Sequence, residues 1–198
     1  MFYRRGMTSI PRPRTVAFTA VTAVFLLAIS GCTPEQSSAP TAAGSTHEGP
    51  LFATDEMALE AARVTYATFI DTANQIMVEG GSFPERIDEI ATPEVAKVEK
   101  DGFQSLVERK LTLSGQSTVR ESVLQSYYPR STDGTRVISA YFCVDVSGVS
   151  LVDGGGTSVV KSTRPDMSTF ETEFDLASDS PTGLKVAANN PWGGEGIC

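Results

Sequence analysis

Histidine is almost absent from this sequence of 198 residues, and cysteine is scarce. The one histidine, His47, lies in a stretch rich in proline, serine and threonine, and residues 51–198 contain none. A Ser-His-Asp triad, a Cys-His pair and a histidine-ligated zinc site are therefore excluded from that part of the chain. Three cysteines are too few for a disulfide-dense miniprotein.

Long apolar runs are missing as well. The longest, residues 16–29, has 14 residues, whereas a membrane-spanning helix needs roughly 20. Four arginines and no acidic residue precede this run or border it, and the small residues Ser30 and Gly31 follow it. A basic region, a short apolar run and small residues together indicate a secretory signal peptide.

The residues Ile29, Ser30, Gly31 and Cys32 resemble the lipobox of bacterial lipoproteins. The resemblance implies that the thiol of Cys32 receives a diacylglycerol and that a signal peptidase cuts between Gly31 and Cys32. Two acyl chains, of the palmitate type, are enough for stable anchoring. We therefore expect a lipoprotein that binds the cell membrane through Cys32 and faces the extracytoplasmic side.

The sequence predicts three segments: a signal peptide over residues 1–31, a lipidated cysteine with a flexible linker over 32–53, and a globular domain over 54–198. Residues 33–50 carry no aromatic or large aliphatic side chain, so they lack the apolar surface needed to fold. As a flexible tether, this segment has a typical end-to-end reach of about 20–25 Å.

Acidic residues outnumber basic ones, 24 against 16, and give a net charge of −8. This balance argues against nucleic acid as a partner. Removal of the signal peptide and its four arginines lowers the net charge to −12. Because anionic lipid head groups repel such a surface, we expect the domain as a whole to stand off from the membrane.

The first half of the domain has helical periodicity. Thr54 is a predicted N-cap, and Gly80-Gly81 a predicted helix end. The apolar face of this helix comprises Leu59, Ala62, Tyr66, Phe69, Ile70, Ala73 and Met77. A short helical segment is expected over residues 84–90, and Thr92-Pro93-Glu94 opens a further helix that runs to about Lys110. Its predicted buried side is Val95, Val98, Phe103, Leu106 and Val107.

After Gly115 the apolar period changes to two, which is typical of strands. Residues 118–128 form a predicted strand, and residues 132–135 a hairpin turn. The residues expected to face inward are Ile138, Ala140, Phe142, Val144, Phe170, Thr172, Phe174, Leu176, Leu184 and Val186. Helices followed by hairpin-linked strands predict an α+β domain, with N-terminal helices packed on one face of an antiparallel sheet.

Three short features, Ala91-Thr92-Pro93-Glu94, Cys143-Val144-Asp145 and Trp192 near the end, resemble uncharacterised actinobacterial lipoproteins. The order of elements resembles the nuclear transport factor two-like superfamily. These likenesses imply a curved, cone-like sheet. Members of the superfamily include isomerases, dehydratases and cyclases, as well as proteins that only bind ligands or partners.

In such a fold, chemistry takes place inside the cone, where a carboxylate or tyrosine moves a proton. Among the inward strand residues only Thr172 is polar, and Tyr66 is the one inward helix residue with acid-base potential. We therefore expect no catalytic residue, no cofactor and no metal. The carboxylates of Glu171, Glu173 and Asp175 are interpreted as a solvated outer face rather than a cation site.

The function predicted from the sequence is accordingly a binding or structural module in the cell envelope. Its expected partner is an envelope protein or a small apolar ligand. The alternative is a cone-fold enzyme of the isomerase, dehydratase or cyclase type. An open pocket with two or more convergent titratable groups would favour that alternative.

A disulfide between Cys143 and Cys198 is the last expectation. With Cys32 acylated, two cysteines remain, in a compartment where disulfides form and persist. Cys143 lies on the strand face opposite the predicted core. The tail of residues 191–198 has enough glycines to fold back over that face, with Trp192 as a packing anchor. The alternative is two independent free thiols.

Overall fold

The computed structural model describes residues 50–180 and 182–198. The predicted signal peptide, the cleavage site between Gly31 and Cys32, and the anchor cysteine itself lie outside the described residues. None of the described helices combines the length and the apolar character that crossing a bilayer requires.

The domain begins with helix α1, Asp55–Val78. The side chain of Thr54 accepts a hydrogen bond from the Met57 amide at 3.2 Å, so the predicted N-cap is confirmed. The helix ends at the predicted glycines. Gly81 has a φ of +89°, and its amide donates to the Ile76 carbonyl at 2.8 Å, which satisfies a carbonyl of the last turn.

A 3-10 helix, Pro84–Glu89, and helix α2, Pro93–Arg109, follow. Both were predicted from the sequence. Thr92 is the N-cap of α2, Pro93 occupies the first turn, and Lys110 ends the helix with a left-handed backbone, φ 55°. Proline at the start is favourable because its missing amide would have no partner there.

Six strands complete the domain. They are β1 (Thr112–Ser114), β2 (Thr118–Tyr127), β3 (Ile138–Asp145), β4 (Ser150–Val152), β5 (Met167–Leu176) and β6 (Leu184–Pro191). Strands β2-β3-β5-β6 form one antiparallel sheet in that order, and β1-β4 form a second. The α+β arrangement, with helices packed against an antiparallel sheet, is confirmed. The sheets are open and uncurled, so the cone-like curvature implied by the resemblance is not adopted.

A short backbone bridge fastens α2 to the sheet. Ala91 pairs with Val186 of β6 in parallel orientation. The Val186 amide donates to the Ile90 carbonyl at 2.9 Å, and the Thr92 amide donates to the Val186 carbonyl at 2.9 Å. The start of α2 is thus fixed next to β6, the edge strand of the larger sheet.

The core lies between the helices and the inner face of the larger sheet. Most of the strand residues predicted to face inward are buried: Ile138, Ala140, Phe142, Val144, Thr172, Phe174, Leu184 and Val186. Phe170 and Leu176 are partly buried against them. The aromatic rings of Phe142 and Phe174 meet edge-on, with centroids 5.9 Å apart.

The prediction that Val98 and Val107 of α2 lie in the core is wrong. Val98 is 68% exposed and Val107 is 48% exposed. The helix is rotated so that its buried stripe comprises Val95, Ala96, Phe103 and Leu106. The rotation brings Glu99, one turn from Val95 and Phe103, toward the core side in place of Val98.

On α1 the stripe includes a polar residue that the apolar pattern omits. Asn74 is buried, and its Nδ2 donates to the Ser117 carbonyl at 2.8 Å while its Oδ1 accepts from Ser117 Oγ at 2.7 Å. These bonds satisfy the buried amide. They also fix the start of β2 to the helix.

Candidate functional site

Tyr66 lies at the centre of the domain. It occupies the middle of α1 and is fully buried. Its ring stacks on Phe142 of β3, with centroids 4.2 Å apart and an interplanar angle of 29°. Packing of this kind holds the ring in one orientation, and the hydroxyl therefore points at a fixed place on the sheet.

The hydroxyl of Tyr66 meets two polar side chains of the sheet. It donates to Oδ1 of Asn189 on β6 at 3.1 Å. The hydroxyl of Thr172 on β5 donates to the same oxygen at 3.2 Å. We call Tyr66, Thr172, Asn189 and the nearby Glu99 the Tyr66 cluster. Two donors thus converge on one amide oxygen, that of Asn189.

Glu99 contributes the carboxylate of the cluster. It is half-buried on the core side of α2, and burial raises the pKa of its carboxyl. Burial also raises the pKa of the Tyr66 hydroxyl, and the charge of Glu99 raises it further. Since burial and the neighbouring carboxylate both disfavour the phenolate, the Tyr66 hydroxyl stays neutral and acts as a hydrogen-bond donor at this place.

Sequence reasoning identified Tyr66 and Thr172 but missed Asn189 and Glu99. In β6 a β-bulge inserts one extra residue, Ala187, between Val186, which pairs with Phe174, and Ala188, which pairs with Glu173. The bulge reverses the alternation of faces after Val186, so Asn189, and not Ala188, is opposite Thr172. Glu99 could have been found, because its spacing from Val95 and Phe103 puts it on their stripe.

The predicted disulfide is confirmed: Cys143 and Cys198 are bonded, with their Cα atoms 5.3 Å apart. It lies on the outer face of the larger sheet, away from the Tyr66 cluster. Trp192 packs on Tyr141 nearby, with ring centroids 4.8 Å apart, and the Trp192 amide donates to the Thr169 carbonyl at 2.9 Å. The tail therefore covers Cys143, which is 1% exposed.

The acidic side chains of β5, those of Glu171, Glu173 and Asp175, contact other residues of the domain. The Glu173 carboxylate pairs with the Arg136 guanidinium at 3.0 Å, and Asp175 accepts from the Arg136 amide at 2.7 Å. Glu171 faces the Tyr141 hydroxyl at 3.4 Å. Within residues 50–180 and 182–198, no group of three or more His, Cys, Asp and Glu side chains is arranged to hold a metal ion.

No protein-family model matches the chain, and no curated protein sequence matches it. Among solved structures, the chain is similar to the intermembrane space region of the chloroplast protein ARC6, with a TM-score of 0.48 and 15% identity over 67% of this chain and 95% of that one. It is also similar to TraH of the Gram-positive conjugative plasmid pIP501, with a TM-score of 0.37 and 10% identity over 72% of this chain and 96% of that one. A third similar structure is a de novo β-sheet design, with a TM-score of 0.32 and 15% identity over 70% of this chain and 92% of that one.

The burial of Glu99 predicts a pH dependence of stability. Its carboxyl pKa is raised above the ordinary value of 4.5 in the folded state. The folded state therefore disfavours the charged form of Glu99. The contribution of the protonated carboxyl to the free energy of unfolding is complete below its pKa in the unfolded chain, and it is lost as the pH rises through its pKa in the folded state. We expect Glu99→Gln to become more stable relative to the unmutated protein as the pH rises across this range.

Urea denaturation at a series of pH values measures this difference. The matched control is Glu94→Gln, which removes an exposed carboxylate from the same helix. Equal pH dependence in both variants would show that burial of Glu99 is not the cause.

Proposed function

We propose that this protein is a lipid-anchored binding module on the extracytoplasmic side of the cell membrane. The observation that carries the proposal is the bond between Cys143 and Cys198. Disulfides form and persist in oxidising compartments outside the cytoplasm. This agrees with the basic region, short apolar run and lipobox of residues 1–32.

The interior of the domain supports binding in preference to catalysis. The inner sheet face carries buried apolar side chains, with Thr172 as its buried polar member. Residues 50–198 contain no histidine, so the commonest general base is missing from the domain. The ligand or partner is accordingly an envelope protein that contacts the surface, or a small apolar molecule.

The lipid anchor is tested by Cys32→Ser. Without the thiol no thioether to the diacylglycerol forms, so the variant should incorporate no fatty acid and should be released from, or mislocalised at, the membrane. Metabolic labelling with a fatty-acid probe, followed by fractionation, measures both effects. Cys198→Ser is the matched control, since it removes a cysteine and leaves the lipobox intact. Continued labelling of the Cys32 variant would contradict the proposal.

The binding role is tested by cross-linking in intact cells. Partners captured by the anchored protein should be identified by mass spectrometry and compared with those captured by the Cys32→Ser protein. A partner that requires the anchor supports the proposal. Capture of the same proteins by both forms would show that membrane tethering is not needed for recognition.

An enzyme of the isomerase, dehydratase or cyclase type, built on the open sheet and not on a cone, is the second candidate, and the Tyr66 cluster is the observation that favours it. Tyr66 and Glu99 are two titratable groups with raised pKa values, and the Tyr66 hydroxyl donates to the Asn189 amide oxygen. Such groups are used in general acid-base catalysis. Thermal shifts with small apolar carbonyl compounds test this: stabilisation of the unmutated protein that is lost in both Tyr66→Phe and Glu99→Gln would favour the enzyme.

A further inference from the structure

The chain enters the domain at a fixed place beside the end of β2. The Leu51 amide donates to the Pro129 carbonyl at 3.0 Å. The Tyr127 hydroxyl donates to the Phe52 carbonyl at 2.9 Å and accepts from the Phe52 amide at 2.5 Å. Phe52 is itself buried in the core. The predicted tether therefore leaves the domain next to residues 128–136, which we call the β2–β3 loop.

The β2–β3 loop is held in one conformation by the neighbouring strand. The Leu176 amide donates to the Gly134 carbonyl at 2.7 Å, and the Arg136 amide donates to Asp175 at 2.7 Å. Asp133 accepts from the Thr135 amide at 3.1 Å. A surface fixed in advance loses little conformational entropy when it binds.

The surface of this loop combines cationic and aromatic side chains. A shallow concavity of about 530 Å³ is lined by residues 128–133, Thr135 and Arg136. Tyr128 is 57% exposed. The Arg136 side chain is 75% exposed although it pairs with Glu173, and none of the ion pairs among the described residues involves Arg130.

One carboxylate also lines the concavity, that of Asp133. It accepts hydrogen bonds from the Ser131 hydroxyl at 3.0 Å and from the Thr135 amide, and these bonds lower its pKa. Both bonds go to Oδ1, so this oxygen is directed at the donors of its own turn. The two guanidinium groups are left as the charged groups that border the concavity and have donors to offer.

We propose that the β2–β3 loop is the face with which the domain docks on the phospholipid bilayer. Arg130 and Arg136 bind head-group phosphates, for which guanidinium groups are well suited. Tyr128 enters the interfacial layer, where aromatic rings with a polar tip are enriched. The inference rests on the proposed lipid anchor at Cys32.

The tether makes even a weak contact effective. The tether expected from the sequence, with its reach of about 20–25 Å, would hold the loop near the bilayer at an effective concentration in the millimolar range. Docking with a dissociation constant of similar size is then populated about half of the time. The mature chain as a whole carries a net charge of −12, whereas residues 128–136 hold two arginines and one aspartate. The rest of the surface therefore repels anionic lipid, which further favours contact through this loop.

The test uses the full-length lipidated protein in vesicles of phosphatidylglycerol and brominated phosphatidylcholine, because bromine quenches tryptophan fluorescence on contact. Trp192 is the one natural tryptophan, so Trp192→Phe combined with Tyr128→Trp reports on the loop alone. The matched control combines Trp192→Phe with Gly148→Trp. Gly148 is exposed beyond the other end of β3 and has open space for a side chain.

We expect the tryptophan at position 128 to be quenched about twofold more strongly than the one at position 148, as intermittent docking requires. High salt or added Arg130→Gln should reduce the difference, because phosphate contacts are screened. Equal quenching at both positions would overturn the inference, whereas a protein that fails to float with the vesicles would overturn the anchor itself. Amide hydrogen exchange of the unmutated protein provides a readout without tryptophan variants: protection on vesicles, relative to detergent, should increase at residues 128–136.

Discussion

Replacing Cys198 with serine should lower the free energy of unfolding of the domain by about 4 kcal/mol. The bond joins residues separated by 55 positions, and loss of a cross-link of this length restores that much entropy to the unfolded chain in the chain-entropy picture. The corresponding decrease of the melting temperature is about 10 °C. Differential scanning calorimetry of the oxidised protein and the variant measures it.

Cys198 is the better position for this substitution because it is exposed, whereas Cys143 is buried beneath the tail. Serine at position 143 would also bury a hydroxyl, and its effect would combine two causes. Glu195→Ala, in the same tail, is the matched control and should leave the melting temperature within about 1 °C. Two alkylatable thiols in the natively exported protein, by mass spectrometry without reductant, would contradict the bridge.

The bond has a second consequence at the outer face of the sheet. The tail contains Gly193, Gly194 and Gly196, which favour disorder of an unattached terminus. With the bond intact, Trp192 packs on Tyr141. Fluorescence of this single tryptophan should therefore shift to longer wavelength in Cys198→Ser, since release of the tail exposes its ring to water.

The strands show how much of this fold could be predicted from the sequence. Alternation of apolar and polar residues in β3 and β5 assigned the inner face correctly, because these two strands pair without a register shift. Each residue then keeps the face that its position dictates. The bulge in β6 removed that regularity, and Asn189 was missed for this reason.

The helices were predicted less accurately than the strands. Caps at Thr54 and Thr92 were recognised because they depend on a few adjacent residues. The buried stripe of α2 depends instead on what lies opposite it. The apolar pattern placed Val98 in the core, whereas the half-buried Glu99 lies on the core side, where its charge raises the pKa of the Tyr66 hydroxyl. The apolar periodicity of one helix cannot show that a polar side chain of another element packs against it.

Tyr66→Ala should destabilise the domain by about 3–5 kcal/mol, the usual cost of removing a buried aromatic ring. The ring is fully buried, stacks on Phe142 at 4.2 Å and lies 6.0 Å from the ring of Phe69. Its removal leaves a cavity where the helix meets the sheet. Urea denaturation monitored by circular dichroism measures the loss, and Val64→Ala, at a position 52% exposed on the same helix, should change stability by no more than about 0.5 kcal/mol.

Tyr66→Phe separates the ring from the hydroxyl. It keeps the stacking on Phe142 but removes the bond to Asn189, and a single hydrogen bond of this kind contributes about 1 kcal/mol. The Asn189 oxygen retains the Thr172 hydroxyl as a donor, so no buried acceptor is left unpaired. A loss in Tyr66→Phe as large as that in Tyr66→Ala would contradict this assignment, because it would mean that the polar contacts, and not the ring, hold α1 to the sheet.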